Sequence, residues 1–273
     1  MLYTDSPKRI SEIESLVKLF EDKGYKLTAK RLDSFKDILK QSKVPADFLK
    51  RLDDLFSLFE NEFADSMPIG KIYRKQCFAE VKGLLFKAIG RLQSSFAKAI
   101  MEIYPSLVSL NHGRHIAGDI ADGLEAMKNQ NKKLAFHLYC YAYLVTVEGI
   151  FDEVARILYF LKTVDKNNIP KAGELKKMDV WKVLDSFSPR PVFLNNWEEK
   201  QNIRNAIGHC NVYYNVLKDE VRFVNERNDY DETKSLTQFM KIALELDSTV
   251  AAYTYIMLLL KVYDFIVSPT PFV

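Results

Sequence analysis

Residues 198–215 read EEKQNIRNAIGHCNVYYN. The stretch packs an arginine, an asparagine and a histidine into six positions, Arg204, Asn205 and His209, beside Gly208 and Cys210. On a helix, Asn205 and His209 stand one turn apart on nearly the same face. Arg204 lies about 140° from His209, a gap that a guanidinium on a long stem can close and a short side chain cannot. An imidazole titrates near neutrality and suits proton transfer. A guanidinium is permanently charged and fork-shaped, and suits an anion. Gly208 costs a helix about 1 kcal/mol relative to alanine, which asks for close packing or room for a ligand in return. Ile203, Ala206, Ile207 and Val212 supply the apolar stripe that would anchor this helix, expected over 196–214, to a bundle.

The elements around it are helical in pattern. The chain has 273 residues, 48% hydrophobic and 27% charged, with ten glycines and nine prolines, the balance of a globular protein with a sizeable core. Apolar spacing predicts helices over 10–20, 31–41, 45–63 and 71–103, the last ending at Pro105. A looser, Gly-containing helix is expected over 106–131, a long apolar one over 132–164, a short one over 174–187 and a closing one over 235–267. Only 216–233 alternates like a strand, at Val221 and Phe223, which suggests a short hairpin or extended loop. The fold class expected is all-α, a helical bundle. A change of texture at Pro105 suggests a helical N-terminal region, 1–105, and a second bundle, 106–273; one continuous helical body fits the same pattern.

Net charge is +3, so no overall field marks a nucleic-acid binder, and a basic site must be local. The three cysteines, Cys77, Cys140 and Cys210, form no CxxC pair. That argues against a disulfide framework or zinc site and fits a reducing compartment. The N-terminal stretch has no apolar core of a secretory signal, and the apolar stretches 134–151 and 250–267 carry charges, so both read as core helices rather than membrane spans. A cytoplasmic protein is expected. Cys210 reads as a buried, inert thiol. His112, His115 and Asp119 have ligand-like spacing but read as a solvated helix start, so no metal is expected. Tyr139, Tyr141, Tyr143, Tyr159 and Phe160 read as core. Lys26, Lys30, Arg31, Lys71, Arg74 and Lys75 read as solvated faces, and are the best resting places for a phosphate backbone.

RNAIGH (204–209) matches the R-x4-H signature of the HEPN superfamily, with Asn at the first variable position. The order of elements, an upstream apolar helix, the motif helix and a terminal helix, is similar to that family over roughly 106–267. The resemblance implies a C-terminal four-helix bundle and metal-independent endoribonuclease chemistry. The 2′-hydroxyl of RNA loses a proton, attacks the adjacent phosphate and expels the 5′-oxygen. It implies that His209 moves the proton, Arg204 stabilises charge on the phosphoryl oxygens and Asn205 orients phosphate or imidazole. It further implies a homodimer whose two motif helices share a cleft, no cofactor, and a toxin or antiviral effector, in some members neutralised by a nucleotidyltransferase-type antitoxin. Glu148 and Asp152, four apart on an otherwise apolar helix, are costly there unless partnered, and are supporting candidates for holding Arg204; a structural salt-bridged pair is the simpler reading of them. Non-catalytic members that bind a nucleotide or a protein are the alternative, and a helical scaffold with an accidental motif is a third.

Overall fold

The computed structural model describes residues 6–22, 24–39, 47–66, 71–92, 95–127, 131–178, 183, 185–187, 197–243 and 246. They divide into two compact units: described residues up to Met101 with 164–168, and 102–163 with 169–246.

The first unit contains α1 (Ser6–Asp22), α2 (Lys26–Asp33), α3 (Phe35–Leu39), α4 (Phe48–Ser66), α5 (Lys71–Leu92) and α6 (Phe96–Ile100). Its core is aromatic: Phe20 meets Phe59 edge-on at 5.4 Å, and Tyr25 meets the same ring at 5.5 Å. Gly24, at φ +83°, turns the chain out of α1 in a conformation a side chain would strain. The orphan N–H groups of α2 are satisfied from α4, where the two carboxylate oxygens of Glu62 accept from Leu27 and Thr28 at 2.8 Å each.

The second unit begins with α7 (Tyr104–Met127). Pro105 does not end the preceding helix; it sits in the first turn of α7, where its missing N–H costs nothing. The expected helix over 132–164 is present as one body, Lys132–Thr163, long and apolar enough by length and composition to cross a membrane. It is not uniform. α8 (Lys132–Leu144) widens into a π-helical segment, Val145–Phe151, before α9 (Asp152–Thr163). The Thr146 hydroxyl donates to the Ala142 carbonyl oxygen at 2.8 Å where the widening starts, a bond that competes with the backbone ladder. α7 packs directly on this segment at Gly113, where an added Cβ would stand 2.9 Å from Ile150 Cγ1. The helix α10 (Ala172–Lys176) is capped by Glu102, which accepts from the Ala172 N–H at 2.9 Å.

The next helix, α11 (Trp197–Gly208), is followed by a three-stranded antiparallel meander, β1 (Val212–Asn215), β2 (Glu220–Asn225) and β3 (Tyr230–Ser235), in the order β1-β2-β3. The protein is therefore mostly helical with a small sheet, not all-α. The strand signal at Val221 and Phe223 marks β2, whose buried face these residues form. Helical periodicity carried the motif helix too far: Val212, Tyr213 and Tyr214 are β-branched or aromatic and pair with Phe223, Arg222 and Val221. Helix resumes over 236–243, where Phe239 packs against Phe223 at 5.1 Å and Tyr143 at 5.5 Å. The rest of the expected closing helix, except for Leu246, lies outside the described residues, as does the start of the motif helix at 196. Of the aromatics expected in the core, Tyr143 and Phe160 are buried, whereas Tyr141 is exposed.

The Gly113 contact yields a test. Gly113→Ala should destabilise the protein by about 1–3 kcal/mol through overpacking, read as a lower urea midpoint. Gly123→Ala on the same helix, where an added Cβ meets nothing within 4 Å, should be neutral or stabilising by up to about 1 kcal/mol.

Candidate functional site

α11 is positioned from both sides. Trp197 stacks on Phe151 with ring centroids 4.2 Å apart and planes 19° from parallel. The Tyr143 hydroxyl donates to the backbone carbonyl of Lys200 at 3.0 Å. On the sheet side, Asn202 Oδ1 accepts from the side-chain amides of Asn225 at 2.9 Å and Asn228 at 2.8 Å, and Lys234 pairs with Glu199 at 2.7 Å. Ile203, Ala206 and Ile207 are buried as expected; Val212 belongs to β1.

This clamp brings Arg204 to the π segment. Its guanidinium Nη2 forms an ion pair with Glu148 Oε1, and Nη1 donates to Asn205 Oδ1 at 2.6 Å. The Arg204 side chain is 32% exposed and that of Glu148 50%, so the pair adds at most about 1 kcal/mol of stability. Its consequence is positional. Two fixed acceptors orient the fork, and among the described residues its other donors have no protein partner.

Asp152, one turn beyond Glu148, takes a different partner. Its carboxylate stands 3.8 Å from Arg156 Nη2, while Arg156 Nη1 donates to Glu153 at 2.9 Å. Burial pushes the Asp152 carboxyl up to about 6. Glu153 and Glu148 push the same way, and the opposing pull of Arg156 and Arg204 does not cancel the desolvation. The sequence reading missed Arg156 and Glu153, although the Asp152–Arg156 spacing of four was there to read.

His209 is not on the helical body. Three backbone bonds close α11: His209 N–H to the Asn205 carbonyl at 2.9 Å, Cys210 N–H to Ile207 at 3.0 Å and Asn211 N–H to Ala206 at 2.7 Å. Together they form a Schellman turn, with His209 as C-cap and Cys210 at φ +59°, the position usually given to glycine. Glycine stands two residues too early, at Gly208, where an added Cβ would meet nothing within 4 Å. His209 is exposed, and its imidazole hydrogen-bonds none of Arg204, Asn205, Glu148 and Asp152. Cys210 is exposed too, which corrects the expectation of a buried thiol: it stands in the turn beyond the end of α11, not on the helix's packed face.

Thus Arg204, Asn205 and Glu148 are in direct contact, Asp152 lies within reach of their charges, and His209 is carried at the end of the same helix. Among the described residues no group of His, Cys, Asp and Glu could hold a metal ion; His112, His115 and Asp119 are exposed along α7. The arrangement offers an oriented cation for an anion, a carboxyl that holds a proton close to neutrality, and a solvent-facing imidazole.

Two measurements bear on this geometry. Cys210→Gly should stabilise the protein by about 1 kcal/mol by relieving the left-handed conformation, read as a raised melting temperature. For Asp152 the folded value lies above the ordinary 3.8, so the folded state holds the proton more tightly. Its charge therefore opposes folding above about pH 6, and that penalty fades as pH falls toward about 4. Asp152→Asn should accordingly gain most in melting temperature over the parent at pH 7.5, with the gain shrinking as pH falls through this window.

Comparison of the chain with protein-family models, curated proteins and solved structures finds no match.

Proposed function

We propose that the protein is a metal-independent endoribonuclease of HEPN type, with the bundle and motif helix of the second unit as its catalytic module. The observation that carries the reading is the Glu148–Arg204–Asn205 contact, which presents a partly exposed, oriented guanidinium on the helix that leads to an exposed histidine. In this reading Arg204 binds the scissile phosphate and stabilises the charge that builds on it. His209 takes the 2′-hydroxyl proton, and Asn205 fixes the fork. Single-stranded or loop RNA is the substrate class, since attack needs a 2′-oxygen free to align with the departing 5′-oxygen. The family resemblance extends the proposal to a homodimer pairing two motif helices, to a cytoplasmic toxin or defence effector, and to a nucleotidyltransferase-type antitoxin as regulator.

A second reading, an RNA- or nucleotide-binding module that does not cleave, is favoured by one observation: the exposed imidazole of His209 makes no hydrogen bond to the other described candidates. The two separate in one assay. The purified chain, in excess chelator, should cut single-stranded RNA and leave 2′,3′-cyclic phosphate and 5′-hydroxyl ends. His209→Ala or Arg204→Ala should each lower the rate by at least about 100-fold. Binding without cleavage supports the second reading, and undiminished cleavage by both variants removes the assignment.

A further inference from the structure

We propose that the outer edge of β1, with the sheet face beside it, docks an extended, basic segment of a partner protein, which joins the meander as a fourth strand. The inference stands on the sheet alone and does not require the ribonuclease reading.

The two edges of the sheet are built differently. β3 reads YDETKS and carries three charged residues, a common guard against pairing with another chain. β1 reads VYYN and carries none, and Val216 and Leu217 prolong the uncharged run. Tyr213 is 58% exposed, Val216 42% and Leu217 98%. Among the described residues β1 pairs only with β2, so the backbone groups along its outer edge face no strand. The edge is also held in place. Tyr214 stacks on Phe136 and its hydroxyl donates to Asp219 at 2.7 Å, while Asn215 accepts from two N–H groups of the following turn. A docking strand therefore meets a template that is already ordered, which lowers the cost of association.

The adjoining face selects the occupant. In the sheet register Tyr213 stands opposite Arg222 and Asn215 opposite Glu220, and with Thr233 these residues line a depression of about 510 Å³. Arg222 is committed to Asp231, its Nε donating at 2.7 Å. Glu220 is half-buried, and among the described residues its carboxylate has neither a hydrogen-bond nor an ion-pair partner. The depression thus offers an uncompensated negative charge beside an aromatic ring, a combination that holds an ammonium or guanidinium. An added strand runs about 10 Å from β2. A lysine or arginine on it, laid across the short Asn215, spans that gap to Glu220 with Tyr213 alongside. The surrounding charge agrees: residues 212–235 hold four basic and six acidic side chains, a net −2 within a chain of net +3. The phosphates of an RNA strand would be repelled by the same carboxylate.

A library of random nine-residue peptides, selected on the full chain, tests the assignment. Recovered peptides should carry lysine or arginine among alternating apolar residues, and one of them, synthesised with a fluorescent label, should bind in an anisotropy titration. Glu220→Gln should weaken that binding about 5-fold and Tyr213→Ala by a similar factor, with circular dichroism unchanged. N-methylation of the alternate peptide amides that face β1 should abolish binding, and methylation of the other set should leave it intact. Recovery of no binder, no enrichment of basic residues, equal tolerance of both methylated sets, or parent-like binding by Glu220→Gln overturns the proposal. So does a concentration-dependent dimer that Leu217→Lys dissociates, which puts a second copy on the edge, or competition by single-stranded RNA, which puts RNA there. Cleavage of RNA is read in a separate assay, so either reading can fail without the other.

Discussion

The stack of Phe151 on Trp197 joins the end of the π segment to the start of α11, and the rest of the candidate site depends on that join. With the helix's first residue pinned there and Lys200 held by the Tyr143 hydroxyl, Arg204 can only arrive opposite Glu148. The sheet completes the grip through Asn202 and Glu199. A π turn inserts a residue into a helix, and such insertions are frequent at functional sites. Here the insertion spans Val145–Phe151 and includes Glu148, and Gly113 lets α7 pack closely on the widened backbone.

Two acidic residues one turn apart meet different fates because desolvation and pairing compete. Glu148 is half exposed and paired directly with a guanidinium. Asp152 is more deeply set, and its guanidinium is farther away and divided between two carboxylates. Burial wins, and the group keeps its proton to about pH 6. A carboxyl raised by burial beside a fixed guanidinium is a feature shared by sites of proton transfer and by structural ion-pair networks.

The Schellman turn after α11 decides what the motif can do. Had the helix run on to Tyr214, as its periodicity suggested, His209 would lie within the helical body, one turn beyond Asn205. Terminating at Gly208 instead places the imidazole in a solvent-facing turn and commits Cys210 to a left-handed backbone. The strands that follow are what stop the helix. Val212–Asn215 pairs with β2, Phe136 stacks on Tyr214 at 4.7 Å, and Asn215 closes the next turn by accepting from the backbone N–H groups of Leu217 and Lys218.

Much of the helical plan was legible because apolar spacing of three and four residues is a local property, and helices such as α1, α4 and α9 bury the faces their sequences mark. The candidate residues are legible by type: Arg204, Asn205 and Glu148 stand out in the sequence as polar groups on apolar helices, and they touch. The end of α11, the first strand, the widening of α8 into a π turn and the recruitment of Arg156 were not legible. Each depends on a partner distant in the chain: β2 for the strand, α7 for the π segment, desolvation by the packed unit for the shift of Asp152. The sequence by itself determined which segments prefer helix and which side chains could carry charge or a proton. Only the tertiary structure decided where the motif helix stops and which carboxyl keeps its proton, because pairing and burial are set by neighbours that local sequence does not specify.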